Sequence, residues 1–276
     1  MTDISDPARD WSSVAAAWDA NVDEIDGHTV EAIAGLFDRV AVQPGERVLE
    51  LAAGPGSMGA TWSQLVGPAG TVVLSDIAPG MVEVAARRNA ELDNVEVAVL
   101  DASAIDRPEG SFDVVACRMG LMFTPDPSAA LAEIHRVLAP AGRLGVLTWA
   151  AMEHNPWMTC VGMAAMMNGL ASGGPPVGPS GIFSLGDPAQ LEALVRGAGF
   201  TDVEVVEVPV TFRADDIDAH VTRVSSLAGP LAAVFEAATP EQHAAVRRTA
   251  AEIAASYVAE DGVEIPGRVL LATGRR

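Results

Sequence analysis

The sequence predicts an α/β protein: a doubly wound, mostly parallel sheet with helices on both faces and helical insertions. Three observations predict it. From about Arg47 to Phe200, short apolar runs alternate with longer helical patterns. Each run is near-continuous in Val, Leu, Ile and Ala, as in parallel strands covered on both faces. Strand–helix alternation of this kind also demands right-handed crossovers, which lay helices on both sides of one sheet.

The candidate strands are residues 47–51, 71–75, 95–100, 112–117 and 143–148, with a sixth at about 203–208 and a last at about 268–273. Residues 79–92 read as a helix starting at a Pro-Gly turn, and 127–139 as one stopped by Pro140. Residues 188–198 carry Asp187 as cap and Pro188 at the first helical position. The expected organisation follows. Residues 1–46 form an N-terminal helical arm, with a helix at about 29–40 and Trp11 and Trp18 ahead of it. Residues 47–150 form the core, completed by 187–212 and 263–276. Two insertions interrupt it: 151–186, rich in Met and including Gly173-Gly174-Pro175-Pro176, and the Ala-rich, mostly helical 213–262.

Composition excludes several functions. A net charge of −20 opposes a phosphate backbone, so no nucleic-acid partner is expected, although arginines pair at 87–88, 247–248 and 275–276. All 17 basic residues are arginines. Without lysine there is no Walker A phosphate loop and no lysine Schiff base. Cys117 and Cys160 have no zinc spacing and read as reduced thiols. No basic segment followed by an apolar stretch opens the chain, and no run approaches the roughly 20 apolar residues of a membrane helix. The expected location is the cytoplasm. No metal site is expected, and a homodimer is left open.

The informative stretch is Val48-Leu49-Glu50-Leu51-Ala52-Ala53-Gly54-Pro55-Gly56-Ser57-Met58-Gly59, a strand running into a glycine-rich turn and a helix. Glycine permits positive φ and close approach of a ligand to the backbone. The helix start offers unpaired N–H groups. Asp76, at the end of the second strand, is placed to take both hydroxyls of a ribose. Gly54-x-Gly56-x-x-Gly59 with Asp76 also fits a dinucleotide fingerprint. Three features separate the readings. Glu50 puts a carboxylate where it can reach a cationic amino group, a charge of no use to a pyrophosphate. Ile77 and Met81 put apolar side chains near an adenine face. Asp101 can accept from adenine N6, while the Ala102 N–H donates to N1.

Residues 47–148 resemble the cofactor domain of class I S-adenosylmethionine-dependent methyltransferases, in the ubiquinone/menaquinone-biosynthesis-like branch that also supplies many natural-product enzymes. The resemblance rests on the Glu50–Gly56 turn, Asp76 to Met81, and Asp101-Ala102. It also rests on Ser111-Phe112-Asp113-Val114-Val115 leading to Cys117-Arg118-Met119, and on Arg136-Val137-Leu138-x-Pro140-x-Gly142. Ala52 stands where many relatives carry Gly. The resemblance implies a Rossmann-like sheet of order 3-2-1-4-5-7-6 with an antiparallel last strand. It implies that Glu50, Ala52, Gly54 and Gly56 hold the amino-acid end of S-adenosylmethionine, and Asp76 the ribose. Ile77 and Met81 would flank the adenine, Asp101 and Ala102 its edge. Arg118 and Met119 would border the methionine portion through their backbone, and S-adenosylhomocysteine would be the product. Arg118 equally fits an anionic substrate or a surface ion pair.

Ligands of open α/β sheets lie beyond the carboxyl ends of the strands. Connectivity brings both insertions and the start of the 29–40 helix to that edge, where they would form a lid over a small-molecule acceptor. A hydroxyl or acidic carbon also needs a base. By position, His154 and His28 are the candidates; His135 lies too low, and His220 and His243 cannot be ranked. Met152, Met158, Met163, Met166 and Met167 suit either an adaptable pocket or a lid core. Two alternatives stand beside the methyltransferase: an NAD-dependent oxidoreductase, and a cofactor-fold protein that binds or cyclises without methylating.

Overall fold

The computed structural model describes residues 7–170, 180–227 and 229–276, so Gly173-Gly174-Pro175-Pro176 lies outside the described residues. Helices α1 (Pro7–Ser13), α2 (Ala15–His28) and α3 (Val30–Val40) precede β1 (Arg47–Leu51). The alternation then runs α4 (Gly59–Val66), β2 (Thr71–Asp76), α5 (Pro79–Arg88), β3 (Val95–Val99), β4 (Phe112–Arg118), α6 (Pro127–Val137) and β5 (Leu138–Trp149). Next come α7 (Pro156–Met167), α8 (Pro188–Gly197) and β6 (Thr201–Ala214). Helices α9 (Ile217–Leu227), α10 (Gly229–Glu236) and α11 (Pro240–Ile253) lead to β7 (Val258–Ala259) and β8 (Gly262–Arg275).

The strands form one sheet in the order β3-β2-β1-β4-β5-β8-β6, with β7 paired to β8. This is the expected order once the two-residue β7 is counted. The first five strands are parallel, while β8 runs antiparallel to both β5 and β6. Helix starts follow local chemistry. Asp126 accepts from the Ala129 N–H ahead of Pro127, Asp187 from Ala189 and Gln190, and Thr239 with Gln242 forms a capping box.

The largest departure from expectation is at β6 and β8. Both are 14 residues long, paired from Thr201↔Arg275 to Ala214↔Val263. Only residues 269–275 of β8 also pair with β5, so the far half of the ribbon stands beyond the main sheet. Its inward side chains, Val210, Phe212, Val263 and Ile265, are buried, and that alternation sustains the pairing. The start of β5 also lies earlier than expected, at Leu138, because α6 ends at Val137 and the chain turns directly into extended backbone.

Register assigns the faces. Glu50 pairs with Ala116, Ala116 with Gly145 and Arg118 with Leu147. Trp149 lies two residues beyond Leu147, so Glu50, Arg118, Leu147 and Trp149 share one face. Helix α3 packs there: a side chain at Gly145 would meet Leu36 and Val40.

Candidate functional site

The turn after β1 is built by backbone. Ala52, Gly54 and Gly56 all adopt positive φ (52°, 54° and 74°), curling the chain before α4. Asn89 fastens the curl, its Nδ2 donating to Gly56 O at 3.0 Å and to Ala85 O at 2.8 Å. A Cβ on Gly56 would lie 2.8 Å from both the Ala85 Cβ and Asn89 Nδ2, so glycine is required by space as well as by φ.

Asp76 closes the turn from the neighbouring strand. One carboxylate oxygen accepts from the Gly54 N–H and the other from the Ala78 N–H, both at 2.9 Å. Burial pushes its pKa up, opposed by these bonds. The residue is thus a strut of the turn that also holds the Ala78 N–H just ahead of α5, with lone pairs remaining on each oxygen.

Glu50 is 2 % exposed. Trp62 Nε1 donates to its Oε2 at 2.8 Å, and Arg118 Nε lies 4.0 Å from Oε1. Burial raises its pKa to about 7, against the opposing pull of Arg118 and of the Trp62 bond. A buried carboxylate in this condition is stabilised by a further cation, and its partial pairing leaves room for one. Arg118 is held between Glu50, the Asp26 carboxylate of α2 and Ser57 Oγ, the last at 3.0 Å. Of the alternatives for Arg118, the structure displays an internal ion pair that ties the N-terminal helices to the turn. Met119, at φ 57°, donates its N–H to Leu147 O at 2.9 Å.

The other sequence candidates are more scattered. Met81 is buried with Val14, Ala15, Ala78 and Val84, and Trp11 and Trp18 pack on this cluster, so its side chain belongs to a small core shared with the N-terminal helices. Ile77 is half-buried. Asp101 is exposed and accepts from the Ser103 N–H at 2.8 Å, while Ala102 packs at the edge of the main core. His154 is exposed on a short 3₁₀ turn, Met152–His154, just after β5. His28, at the end of α2, accepts from the Arg213 N–H at 3.5 Å and faces Arg223 at 3.4 Å. Burial, then Arg223 and Arg213, lower its pKa to about 4, so it is a neutral hydrogen-bond acceptor. Among the described residues no three His, Cys, Asp or Glu side chains gather as a metal site.

Several functional neighbours escaped sequence reasoning. Trp62 and Asn89 carried no motif signal, since each matters only through the helix face it occupies. The pairing of Asp26 with Arg118 joins residues 92 apart in the chain. A second wall also emerges, where Trp157 stacks on Phe212 with ring centroids 4.1 Å apart. Trp149 lies 4.8 Å from Trp157, and His28 lies 5.1 Å from Phe212. This wall occupies the Arg118 face, beyond the end of β5.

Residues 48–142 match the family model described as a methyltransferase domain. A ubiquinone/menaquinone biosynthesis C-methyltransferase of Hahella chejuensis is 41% identical over 119 residues, which cover 41% of this chain and 47% of that protein. The chain thus matches about half the length of such curated relatives. Among solved structures, the YcgJ protein of Bacillus subtilis aligns over 89% of this chain and 98% of its own, at 18% identity and a TM-score of 0.60. A Haemonchus contortus phosphoethanolamine N-methyltransferase covers 100% of this chain and 61% of its own, at 16% identity and a TM-score of 0.61. These two likenesses establish a shared fold. The stretch 48–142 is thus similar to methyltransferase domains, among them that of the quinone-biosynthesis C-methyltransferases.

Proposed function

We propose that this chain, built on an S-adenosylmethionine-dependent methyltransferase domain, methylates a small apolar or aromatic acceptor. The observation that carries the reading is Glu50, a buried carboxylate at the mouth of the 52–58 turn whose raised pKa calls for a cationic partner. The amino group of S-adenosylmethionine supplies that charge, whereas a pyrophosphate would be repelled, which disfavours the dinucleotide alternative. When bound, the cofactor supplies an electrophilic methyl on a sulfonium.

In this reading Glu50 and the Ala52, Gly54 and Gly56 backbone hold the amino-acid end. Asp76 takes the ribose through its remaining lone pairs, the half-buried Ile77 walls the adenine with the core residue Met81 behind it, and Asp101 with the Ala102 N–H reads its edge. Arg118 and Met119 line the methionine side. The chain then contributes orientation and exclusion of water around an in-line displacement. The lid is assigned to residues 151–186 and 213–262, the first of which supplies Trp157 to the stack with Phe212 of β6 on the Arg118 face. An aromatic acceptor suits that wall, and the C-methyltransferase relatives act in quinone biosynthesis. Should a proton need to leave, His154 and His28 are the positional candidates. A pKa of about 4 suits His28 to accepting a hydrogen bond more than to removing a proton.

No helix among the described residues is long and apolar enough to cross a membrane. The buried, free Cys117 and Cys160 suit a reducing compartment such as the cytoplasm. Arg87, Arg88, Arg275 and Arg276 are engaged by Asp and Glu side chains, which supports a small molecule over a nucleic acid. The test is turnover of labelled S-adenosylmethionine with a panel of phenols, quinols and other small aromatics. The expected result is S-adenosylhomocysteine matched mole for mole by a methylated arene; methylation of nucleic acid in their place would contradict the substrate class.

A further inference from the structure

Among the described residues, the buried side-chain nitrogen and oxygen atoms without a hydrogen-bond partner reduce to one: Nδ1 of His220. His220 lies in α9 and is 0 % exposed. Its Nε2 sits 2.5 Å from the carbonyl oxygen of Trp157. A carbonyl oxygen only accepts, so Nε2 carries the proton and Nδ1 presents a bare lone pair. Burial, with Arg223 and His28 acting in the same direction, keeps the ring neutral against the opposing pull of the Trp157 bond. Buried polar groups are nearly always paired, and no group of the described chain donates to this nitrogen.

The surroundings define the donor that fits. Through Trp157, His220 joins the wall formed with Phe212, Trp149 and His28. That wall shares its sheet face with Glu50 and Arg118, and α2 links the two, since Asp26 pairs with Arg118 and His28 packs on Phe212. Arg223 beside His28 is paired with Glu24, which also faces His28, so this side of the wall carries no excess charge to recruit an ion. Aromatic neighbours packed around one unpaired, buried acceptor match a neutral, flat molecule carrying a single hydrogen-bond donor.

We infer that His220 recognises the methyl acceptor, its Nδ1 accepting a hydrogen bond from a hydroxyl or N–H on an aromatic ring. The inference rests on the transferase reading above and names its acceptor-binding residue. It makes His220 a determinant of specificity: a ring with the donor is taken and the matched ring without it is rejected, because the latter leaves a buried acceptor unpaired.

The test uses the full chain with ¹⁵N-labelled histidine, saturated with S-adenosylhomocysteine, and two probes: 2-naphthol and its ether 2-methoxynaphthalene. The expected result is movement of the His220 Nδ1 resonance with naphthol and none with the ether. No movement with naphthol, or equal movement with both, overturns the inference. Two variants give a second reading. His220→Gln can keep a donor toward Trp157 O and has no acceptor at the Nδ1 position, whereas His220→Asn places an amide oxygen there. Naphthol affinity is expected to fall ~10-fold or more in the Gln variant and less in the Asn variant, with S-adenosylhomocysteine affinity unchanged in both. Equal naphthol affinity in the wild-type and Gln proteins overturns it. Failure of the wild-type chain to bind S-adenosylhomocysteine would instead remove the transferase reading itself.

Discussion

The two sides of the upper face are made in different ways. On the turn side, Glu50, Gly54, Gly56 and Asp76 come from one strand–turn–helix unit and the adjoining strand end, and backbone hydrogen bonds and positive-φ residues set their geometry. On the aromatic side, His28, Trp149, Trp157, Phe212 and His220 come from five elements and are placed by packing. The first geometry is stiff and owes little to side-chain volume. The second exists only because the β6–β8 ribbon extends past β5 and brings Phe212 to Trp157. In the proposed function, a turn fixed by backbone beside a wall set by packing would let acceptor chemistry change without disturbing the cofactor side.

The strongest way to break this comparison is Phe212→Ala. Removing a buried ring stacked on Trp157 should cost ~3–5 kcal/mol in urea unfolding. If the two sides are independent, S-adenosylhomocysteine affinity of the folded variant stays within ~3-fold of wild type. A parallel loss of affinity would show that the wall supports the turn.

Glu50→Gln should move stability and affinity in opposite directions. Burial raises the Glu50 pKa from 4.5 to about 7, so the native state favours its protonated form. Wild-type stability therefore falls as pH rises from about 4.5 through about 7, and the Gln variant escapes that fall. Above pH 8 the ligand-free variant should be more stable by up to ~3 kcal/mol, while S-adenosylhomocysteine binding drops ~100-fold or more. Loss of binding with no gain in stability would mean that Glu50 is not strained by burial.

His28 has the reverse sign. Its pKa is depressed from 6.5 to about 4, so its contribution is present above about 6.5 and lost as pH falls toward 4. His28→Gln should flatten the acid limb of the stability curve and leave the alkaline limb alone. An unchanged acid limb would reject the neutral assignment. The smallest effect belongs to Ala52→Gly, which relieves an L residue at φ 52° and should gain up to ~1 kcal/mol with cofactor affinity unchanged. A loss of stability there would show that the Ala52 methyl packs usefully.

The same contrast explains how much was legible in the sequence. The β1 run, the glycine spacing, Glu50 and Asp76 lie within single elements or at consecutive strand ends, where local pattern reports structure directly. Strand order followed from alternation and from the resemblance of 47–148. The extent of β6 and β8 was hidden because each strand depends on the other, and Pro209 and Pro266 sit in the ribbon. Asp26 with Arg118, and Trp62 with Glu50, depend on which helix faces turn inward. His220 gave no signal at all, because a free Nδ1 becomes visible only once every neighbour has been placed.

The most direct test of the account is a calorimetric titration of wild-type and Glu50→Gln protein with S-adenosylhomocysteine and with NADH at pH 7.5. The account predicts saturable one-to-one binding of S-adenosylhomocysteine to the wild type, its loss in the variant, and no binding of NADH to either. Binding of NADH alone, or S-adenosylhomocysteine affinity indifferent to Glu50, would contradict the assignment of that carboxylate and the methyl-donor reading built on it.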